Sequence, residues 1–311
     1  RGNAVFMVDA ETGELLWRAV RGTTAAYTAA SRSYAHPLLV DSIASDITVL
    51  DTDNDGYTDR LYVGDTGGRL WRGDFAGSLA SAWTFGPIVS VGRHNASSNN
   101  VANDRRFFFA PDYVPLRGAA GVASDVVLFG TGDREDVLNL TTQNSFYAYK
   151  DPDTVSGKTA GEVISTEAAL PQHAAFTSVG SGLVDLNTLT TGYRLSLPRN
   201  GEKMFSAPVT LGGTVTFSSY VPPDPSNPAT PICVPSEGAS RLYAIGVKTA
   251  GLRGINNVSP LGRDQALPAG LPGEVTVLGS TTQSVGTQVY SIDAKETYRA
   301  SWRERLGETQ K

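Results

Sequence analysis

Paired β-strands joined by tight turns recur along the whole chain, and this repetition restricts the fold more than any other feature. The first unit is AVFMVDAETGELLW (Ala4–Trp17), in which alternating apolar residues flank a turn containing Asp and Gly. This pattern predicts a β-hairpin. Similar units are predicted at Arg60–Phe75, Asp125–Glu135 with Ser145–Thr154, Ala207–Pro222 and Arg241–Gly251. Strand pairs that recur every few tens of residues predict a repeated all-β architecture such as a β-propeller.

The length of the chain sets the expected number of repeats. At ~40–50 residues per blade, 311 residues allow about six or seven blades. We therefore predict a single all-β domain over residues 1–311, a propeller decorated by long loop insertions. The predicted loops, rich in Ser, Asn, Gly or Pro, are Ser78–Val101, Val221–Ser240 and Ile255–Gly273. The candidate helices are Thr166–Ala175 and Tyr298–Leu306.

Composition excludes several classes of function. The net charge is −5 and the basic residues form no long cluster, so nucleic acid is not an expected partner. No apolar run approaches the ~18 residues of a membrane span. The single cysteine, Cys233, cannot form an internal disulfide or a cysteine-rich zinc site. Because neither Met nor an apolar leader occurs at Arg1, we interpret the chain as a fragment or a processed form of a longer protein.

A calcium-binding pattern occurs in the segment ITVLDTDNDGYTDRLYVGD (Ile47–Asp65). Carboxylates stand at the first, third, fifth and ninth positions of a loop, and Gly56 stands at the sixth. This spacing, with a main-chain oxygen at the seventh position, suits a hard cation such as calcium, whereas magnesium resists an all-protein cage. The predicted ligands are the side chains of Asp51, Asp53, Asp55 and Asp59 and the backbone carbonyl of Tyr57.

The alternatives for this loop explain less of the pattern. An EF-hand requires flanking helices and a glutamate at position twelve, where Tyr62 stands, and both flanks are predicted strands. A metal-free turn explains one or two of the acids but not four that converge. The loop instead resembles the short calcium loops of integrin-type propeller blades. Asp65, just beyond it, is assigned to the next turn.

A tripeptide that integrins recognise in some ligands is present at Arg72-Gly73-Asp74. Trp71 and Phe75 on either side predict that it lies at a strand end, where it neither protrudes nor moves freely, so a structural role is favoured. The sequence contains no nucleophile elbow, phosphate-binding loop or dinucleotide fingerprint. The three histidines, His36, His94 and His173, have no metal-ligand spacing, and they are interpreted as ordinary surface or core residues.

The order of these segments resembles the C-terminal domain of the PilY family, which comprises calcium-dependent type IV pilus biogenesis and tip-adhesin proteins. The segments that carry the resemblance are AVFMVDAETGELLW, VLDTDNDGYTDRLYVGDTGGRLWRGDF, FFFAPDYV, VLFGTGDRE, SFYAYKDPD, GYRLSLPRNGEKMFSAPVTLGGTVTFSSYVP, SRLYAIGVKTAG and YRASWRERLGE. The resemblance implies a modified seven-bladed propeller at the end of a longer exported protein. It places the family's calcium ligands on Asp51, Asp53, Asp55, Tyr57 and Asp59.

The same resemblance implies a function. Calcium binding would control pilus extension against retraction, with consequences for twitching motility, cell adhesion and virulence. The implied location is the pilus tip or cell surface, associated with the outer membrane. The implied partners are type IV pilus components such as minor pilins, and a host cell-surface receptor.

Two other functions stay open at this point. Propellers with V-D-A-x-T-G-x-x-x-W repeats also form quinoprotein dehydrogenases, which often use a cysteine pair and calcium ligands separated in sequence. An integrin-like extracellular adhesion propeller usually repeats the calcium loop over several blades. This chain has one cysteine and one local calcium loop, so a non-enzymatic calcium-binding propeller is the expectation.

Overall fold

β-Strands are the main regular secondary structure in a computed structural model that describes residues 2–75, 77–94, 101–117, 123–152, 163–226, 237–255, 263–278 and 282–292. Over these residues, 21 strands form five sheets. The described helices are short 3₁₀ turns at Ala29–Ser31, Ala80–Ala82, Val101–Asn103, Glu167–Ala169, His173–Ala175 and Leu186–Thr188. No helix of the described residues has the length and apolar character needed to cross a membrane. The all-β prediction is therefore confirmed.

The five sheets follow one another along the chain. The first, ordered β1-β2-β4-β3, contains β1 (Val5–Val8), β2 (Leu15–Arg21), β3 (Ala26–Thr28) and β4 (Ser33–His36). The second, ordered β5-β6-β7-β8, contains β5 (Thr48–Leu50), β6 (Arg60–Gly64), β7 (Arg69–Asp74) and β8 (Thr84–Ser90). The third, ordered β12-β13-β11-β10-β9, contains β9 (Asp112–Arg117), β10 (Ala123–Gly130), β11 (Ser145–Asp151), β12 (Thr177–Ser178) and β13 (Gly192–Ser196).

The last two sheets complete the described fold. The fourth, ordered β14-β16-β17-β18 with β15 also paired to β16, contains β14 (Lys203–Met204), β15 (Val209–Leu211), β16 (Thr214–Val221), β17 (Ala239–Gly246) and β18 (Asp264–Ala266). The fifth, ordered β19-β20-β21, contains β19 (Val275–Val277), β20 (Thr282–Val285) and β21 (Gln288–Ser291). Each sheet is thus built from a local stretch of chain.

Four cores of buried apolar residues lie between successive sheets. Trp17 and Trp71 pack in the core between the first and second sheets, and Tyr62 and Tyr147 in the core between the second and third. Phe146 and Phe217 pack between the third and fourth sheets, and Leu242 and Val285 between the fourth and fifth. Because side chains alternate between the two faces of a strand, each of the three middle sheets contributes to two cores. These sheets are therefore covered on both faces.

Four of the five predicted strand pairs are present in the structure. The prediction at Arg241–Gly251 is corrected, because this segment contains the single strand β17 and its turn leads only to an isolated bridge between Ile245 and Leu252. β1 pairs antiparallel with β2, β6 with β7, and β10 with β11. β15 and β16 turn on Gly212 and Gly213, whose φ angles of 54° and 74° are those of a tight hairpin turn that strongly favours glycine. The succession of sheets agrees with a repeated architecture, but five sheets are fewer than the predicted seven blades. The blade count and the closure of the sheets into a ring stay predictions.

Three predictions about irregular segments are corrected. The loop predicted at Ser78–Val101 contains the seven-residue strand β8, and the loop predicted at Ile255–Gly273 contains the short strand β18. The helix predicted at Thr166–Ala175 is instead two 3₁₀ turns with Pro171 between them, which lacks the N–H that a continuous helix needs. The second helix candidate, Tyr298–Leu306, and Cys233 lie outside the described residues.

Candidate metal centre

The acidic loop of residues 51–59 connects β5 to β6 at the end of an antiparallel pair. Its exit is fixed by backbone hydrogen bonds. The N–H of Asp59 donates to the carbonyl of Leu50 at 2.8 Å, and the carbonyl of Asp59 accepts from Phe75 N–H at 2.7 Å. Asp59 is therefore held by both neighbouring strands, whereas residues 51–57 are exposed to solvent.

The loop can fold tightly because two of its residues adopt positive φ angles. Asn54 has φ 64° and Gly56 has φ 94°, conformations that Asn tolerates and Gly adopts without steric cost. The carboxylate of Asp51 stabilises the turn by accepting hydrogen bonds from the backbone N–H groups of Asn54, Asp55 and Gly56 at 2.6, 3.2 and 2.9 Å. The first acidic residue thus organises the backbone that follows it.

Three carboxylates converge in this loop. Ligand atoms of Asp51, Asp53 and Asp59 all lie within 4.8 Å of one another. Calcium–oxygen distances are about 2.3–2.6 Å, so two oxygens on one calcium ion lie at most about 5 Å apart. The spacing of the three carboxylates therefore fits a single calcium ion, and their hard, anionic oxygens are the donors that calcium prefers.

The existing hydrogen bonds leave acceptor capacity in these side chains. Asp53 accepts through Oδ1 from Asp55 N–H, and Asp59 accepts through Oδ2 from the N–H and hydroxyl of Thr52 at 2.6 Å each. Among the described residues, the other carboxylate oxygen of Asp53 and of Asp59 accepts no hydrogen bond. A carboxylate has about four lone-pair positions, so a hydrogen bond does not prevent metal coordination.

Two predicted ligands lie outside this group of three. Oδ1 of Asp55 accepts a 2.8 Å hydrogen bond from the N–H of Tyr57, and the Asp55 carboxylate does not join the convergent group. Tyr57 is 77% exposed. Coordination by Asp55 and by the Tyr57 carbonyl stays a prediction. Asp65 belongs to the β6–β7 turn, where its Oδ1 accepts from the N–H groups of Gly67 and Arg69 at 2.8 and 2.9 Å.

A buried charge network begins one residue after the loop. Arg60 bonds to Asp74 at 2.9 Å and to Asp125 at 2.6 Å. Arg72 bonds to Asp74 at 2.8 Å and to Asp151 at 2.7 Å. Arg60, Arg72 and Asp74 belong to the second sheet and Asp125 and Asp151 to the third, so the network joins the two sheets. The pairing of these residues was not predicted from the sequence, because partners as distant as residues 60 and 125 share no local motif.

The network contains the tripeptide Arg72-Gly73-Asp74. It lies within β7, and Arg72 and Asp74 are only 6% and 8% exposed. A cavity of about 380 Å³ lined by Pro87, Ile88 and other residues reaches these two side chains. Both already bond to charged partners inside the protein, and they do not form a protruding recognition loop. The geometry favours the structural role for the tripeptide.

Comparisons with known proteins were made for the sequence and for the fold. No family model matches the chain. The protein described as "Type IV pilus biogenesis factor PilY1 homolog" from Xylella fastidiosa (strain Temecula1 / ATCC 700964) is 26% identical over 215 residues, which are 66% of this chain and 14% of that protein. The chain therefore corresponds to a small part of this relative's length.

The fold is also similar to a solved structure. The crystal structure of the Pseudomonas aeruginosa PilY1 C-terminal domain matches with a TM-score of 0.60 and 16% sequence identity. The match covers 94% of this chain and 66% of that one. At this identity the similarity concerns the fold alone.

Proposed function

From the premise that this chain is similar in sequence and in fold to the C-terminal domain of the PilY family, we propose that it is a non-enzymatic, calcium-binding domain of a type IV pilus biogenesis protein. The convergence of Asp51, Asp53 and Asp59 in an exposed loop is the observation that carries the calcium assignment. A calcium ion there would offset two of the three negative charges and fix the conformation of the loop.

The chain's own contacts give this loop a route to the rest of the molecule. Asp59 is hydrogen-bonded to Phe75 at the end of β7, and it precedes Arg60 in the charge network. Asp51 and Asp53 are therefore the solvent-exposed part of the coordination sphere, while Asp59 is held by hydrogen bonds beside both neighbouring strands. Loop conformations with and without calcium would present different surfaces, and their populations would follow from the difference in calcium affinity.

The pilus-level proposals rest on the similarity to PilY proteins. The protein is exported and acts at the pilus tip or cell surface, associated with the outer membrane. Minor pilins are its proposed partners, together with a host cell-surface receptor. Calcium occupancy shifts the balance between pilus extension and retraction, and through it twitching motility, adhesion and virulence. The buried arginine and aspartate of the tripeptide do not favour integrin recognition as a second function.

Replacement of Asp59 by Ala tests the proposal. This change removes the fixed carboxylate while leaving the apolar cores untouched, so calcium affinity is expected to fall sharply with the fold retained. Asp46→Ala is the matched control, because Asp46 is exposed and acidic and lies outside the convergent group. Calorimetry measures the affinity of both variants, and surface pilus counts and twitching assays measure function in cells.

Asp59→Lys is the complementary variant, since its ammonium can occupy the position of the cation. We expect Asp59→Ala cells to behave as if calcium were absent, and Asp59→Lys cells to behave as if calcium were always bound. Unchanged calcium affinity in Asp59→Ala would contradict the ligand assignment. Loss of affinity without any change in pilus number or motility would show that the site has a structural role only.

A further inference from the structure

One buried arginine lacks the counter-charge that the other buried arginines have. Arg105 is 4% exposed and forms no ion pair among the described residues. Its Nε donates to the carbonyl of Gln143 at 2.7 Å, and its Nη1 donates to the carbonyl of Val91 and to Oδ1 of Asn103. All three acceptors are neutral. Within the described part of the chain, Nη2 of Arg105 makes no hydrogen bond.

The other buried arginines provide an internal comparison. Arg69 and Arg72 are buried to a similar extent, and each bonds to carboxylates. The pKa of each is raised because nearby carboxylates outweigh the effect of burial. Burial lowers the pKa of Arg105, and the positive charge of Arg194 lowers it further. A buried charge without a partner is costly, so this exception indicates an absent counter-ion.

Arg194 adds a second cation with unused donors. It lies on β13 directly opposite Tyr147 of β11. Its Nη1 donates to Oγ of Ser196 at 3.1 Å, whereas its buried Nε has no hydrogen-bond partner. Ser145, fully buried two pairs further along the same strands, lies on the same face and its side chain hydrogen-bonds to that of Tyr147. The guanidinium of Arg194 therefore brings a buried donor without an acceptor to this face of the third sheet.

His173 completes the cluster as a neutral donor. Burial, with the charges of Arg105 and Arg194, lowers the pKa of His173 to about 3, and burial raises the pKa of Tyr147 to about 12. At neutral pH the Tyr147 hydroxyl is therefore protonated, and it shares a 2.6 Å hydrogen bond with Nδ1 of His173. In the tautomer in which Tyr147 donates to Nδ1, the imidazole proton lies on Nε2 and can be donated to a ligand. Nε2 has no acceptor in the described ranges of the chain.

We propose that Arg105, Arg194 and His173 form a binding site for a small oxyanion, a carboxylate or a phosphate group, between the second and third sheets. Arg105 and Tyr147 form the buried floor, while Arg194 and His173 are partly exposed and give access from solvent. Guanidinium groups present paired N–H donors that match both oxyanions. A bound anion would accept the unused hydrogen bonds and compensate the two positive charges.

Thermal unfolding of the full chain without calcium tests this proposal. Wild type is compared in potassium chloride, potassium phosphate and potassium acetate at equal ionic strength and pH 7.5. We expect phosphate or acetate at ten times its dissociation constant to raise the unfolding midpoint by about 2–4 °C over chloride. A larger rise with phosphate would identify a phosphate group as the ligand, and a larger rise with acetate would identify a carboxylate.

Variants locate the effect. Arg194→Gln should lose the rise in unfolding midpoint that phosphate or acetate produces. In chloride it should be at least as stable as wild type, because the repulsion with Arg105 is relieved. His173→Gln, at a partly exposed position, should reduce this rise in unfolding midpoint. Arg32→Gln removes an exposed arginine paired with Glu14 and should retain the full rise in unfolding midpoint. No rise with either anion, or an equal rise in wild type, Arg194→Gln and His173→Gln, would overturn the proposal.

Discussion

The acidic loop of residues 51–59 and the charge network that starts at Arg60 are adjacent in sequence but use charge in opposite ways. In the loop, three convergent carboxylates are solvent-exposed or half-buried, and within the described part of the chain no cationic side chain forms an ion pair with them. In the network, carboxylates and guanidinium groups alternate, and they are buried between two sheets. An exposed group of like charges can respond to a ligand, whereas a buried, compensated group holds one arrangement. The loop is thus suited to sensing, and the network to fixing the sheet against which the loop is anchored.

The largest effect is expected from breaking the network at Arg72. Arg72→Met leaves Asp151 and one oxygen of Asp74 without their guanidinium partner in a buried environment. We expect a loss of about 3–5 kcal/mol in the free energy of unfolding, measured by urea denaturation. Arg32→Met breaks the exposed pair with Glu14 and should cost about 0–1 kcal/mol. Similar losses in the two variants would remove the contrast between buried and exposed charge.

A smaller effect is expected from the titration of Asp125. Burial and the negative charge of Asp151 raise the pKa of Asp125 to about 6, although Arg60 opposes the shift. The folded state then binds more protons than the unfolded state, in which the pKa is 3.8. Stability from this group therefore falls as the pH rises from about 4 to about 6, by up to about 3 kcal/mol.

Asp125→Asn isolates this contribution, because the variant has no proton to lose at that position. Urea denaturation of both proteins at a series of pH values should show wild type losing stability relative to Asp125→Asn across this range. If the difference in unfolding free energy between wild type and Asp125→Asn is constant with pH, or grows in favour of wild type as the pH rises, the pKa of Asp125 is not raised.

The smallest effect is expected from the loop when calcium is absent. Asp53→Asn removes one exposed negative charge, so the free energy of unfolding in a chelator should change by no more than about 0.5 kcal/mol. With calcium added, wild type should gain stability and the variant should gain much less. A large loss of stability in Asp53→Asn in the chelator would mean that the loop supports the fold even without calcium, as the buried charge network does.

Local chemistry explains which parts of the fold the sequence could predict. The β15–β16 hairpin follows from its Gly212-Gly213 turn, and the order of acidic residues predicts where the metal loop lies. Strand β8 was missed because Gly86 and Pro87 lie within it. Proline is tolerated there because β8 is an edge strand, with an irregular register opposite Leu70 and Trp71.

The long-range clusters could not be predicted in the same way. Arg105, His173 and Arg194 lie in separate parts of the chain, and only the packing of the second sheet on the third brings them together. The pairs Arg60–Asp125 and Arg72–Asp151 likewise depend on the relative position of two sheets. A local motif identifies ligands that share one loop, but it carries no information about residues joined by tertiary packing.

Calorimetric titration of calcium into the full chain tests the central claim most directly. One calcium ion per chain should bind, more tightly than the ~0.1–1 mM typical of extracellular modules, and magnesium should bind more weakly. The triple variant Asp51→Asn, Asp53→Asn, Asp59→Asn should lose this binding, while Asp46→Asn should retain it. Absence of calcium binding in wild type, or equal binding in the triple variant, would contradict the assignment of these three carboxylates as a calcium site.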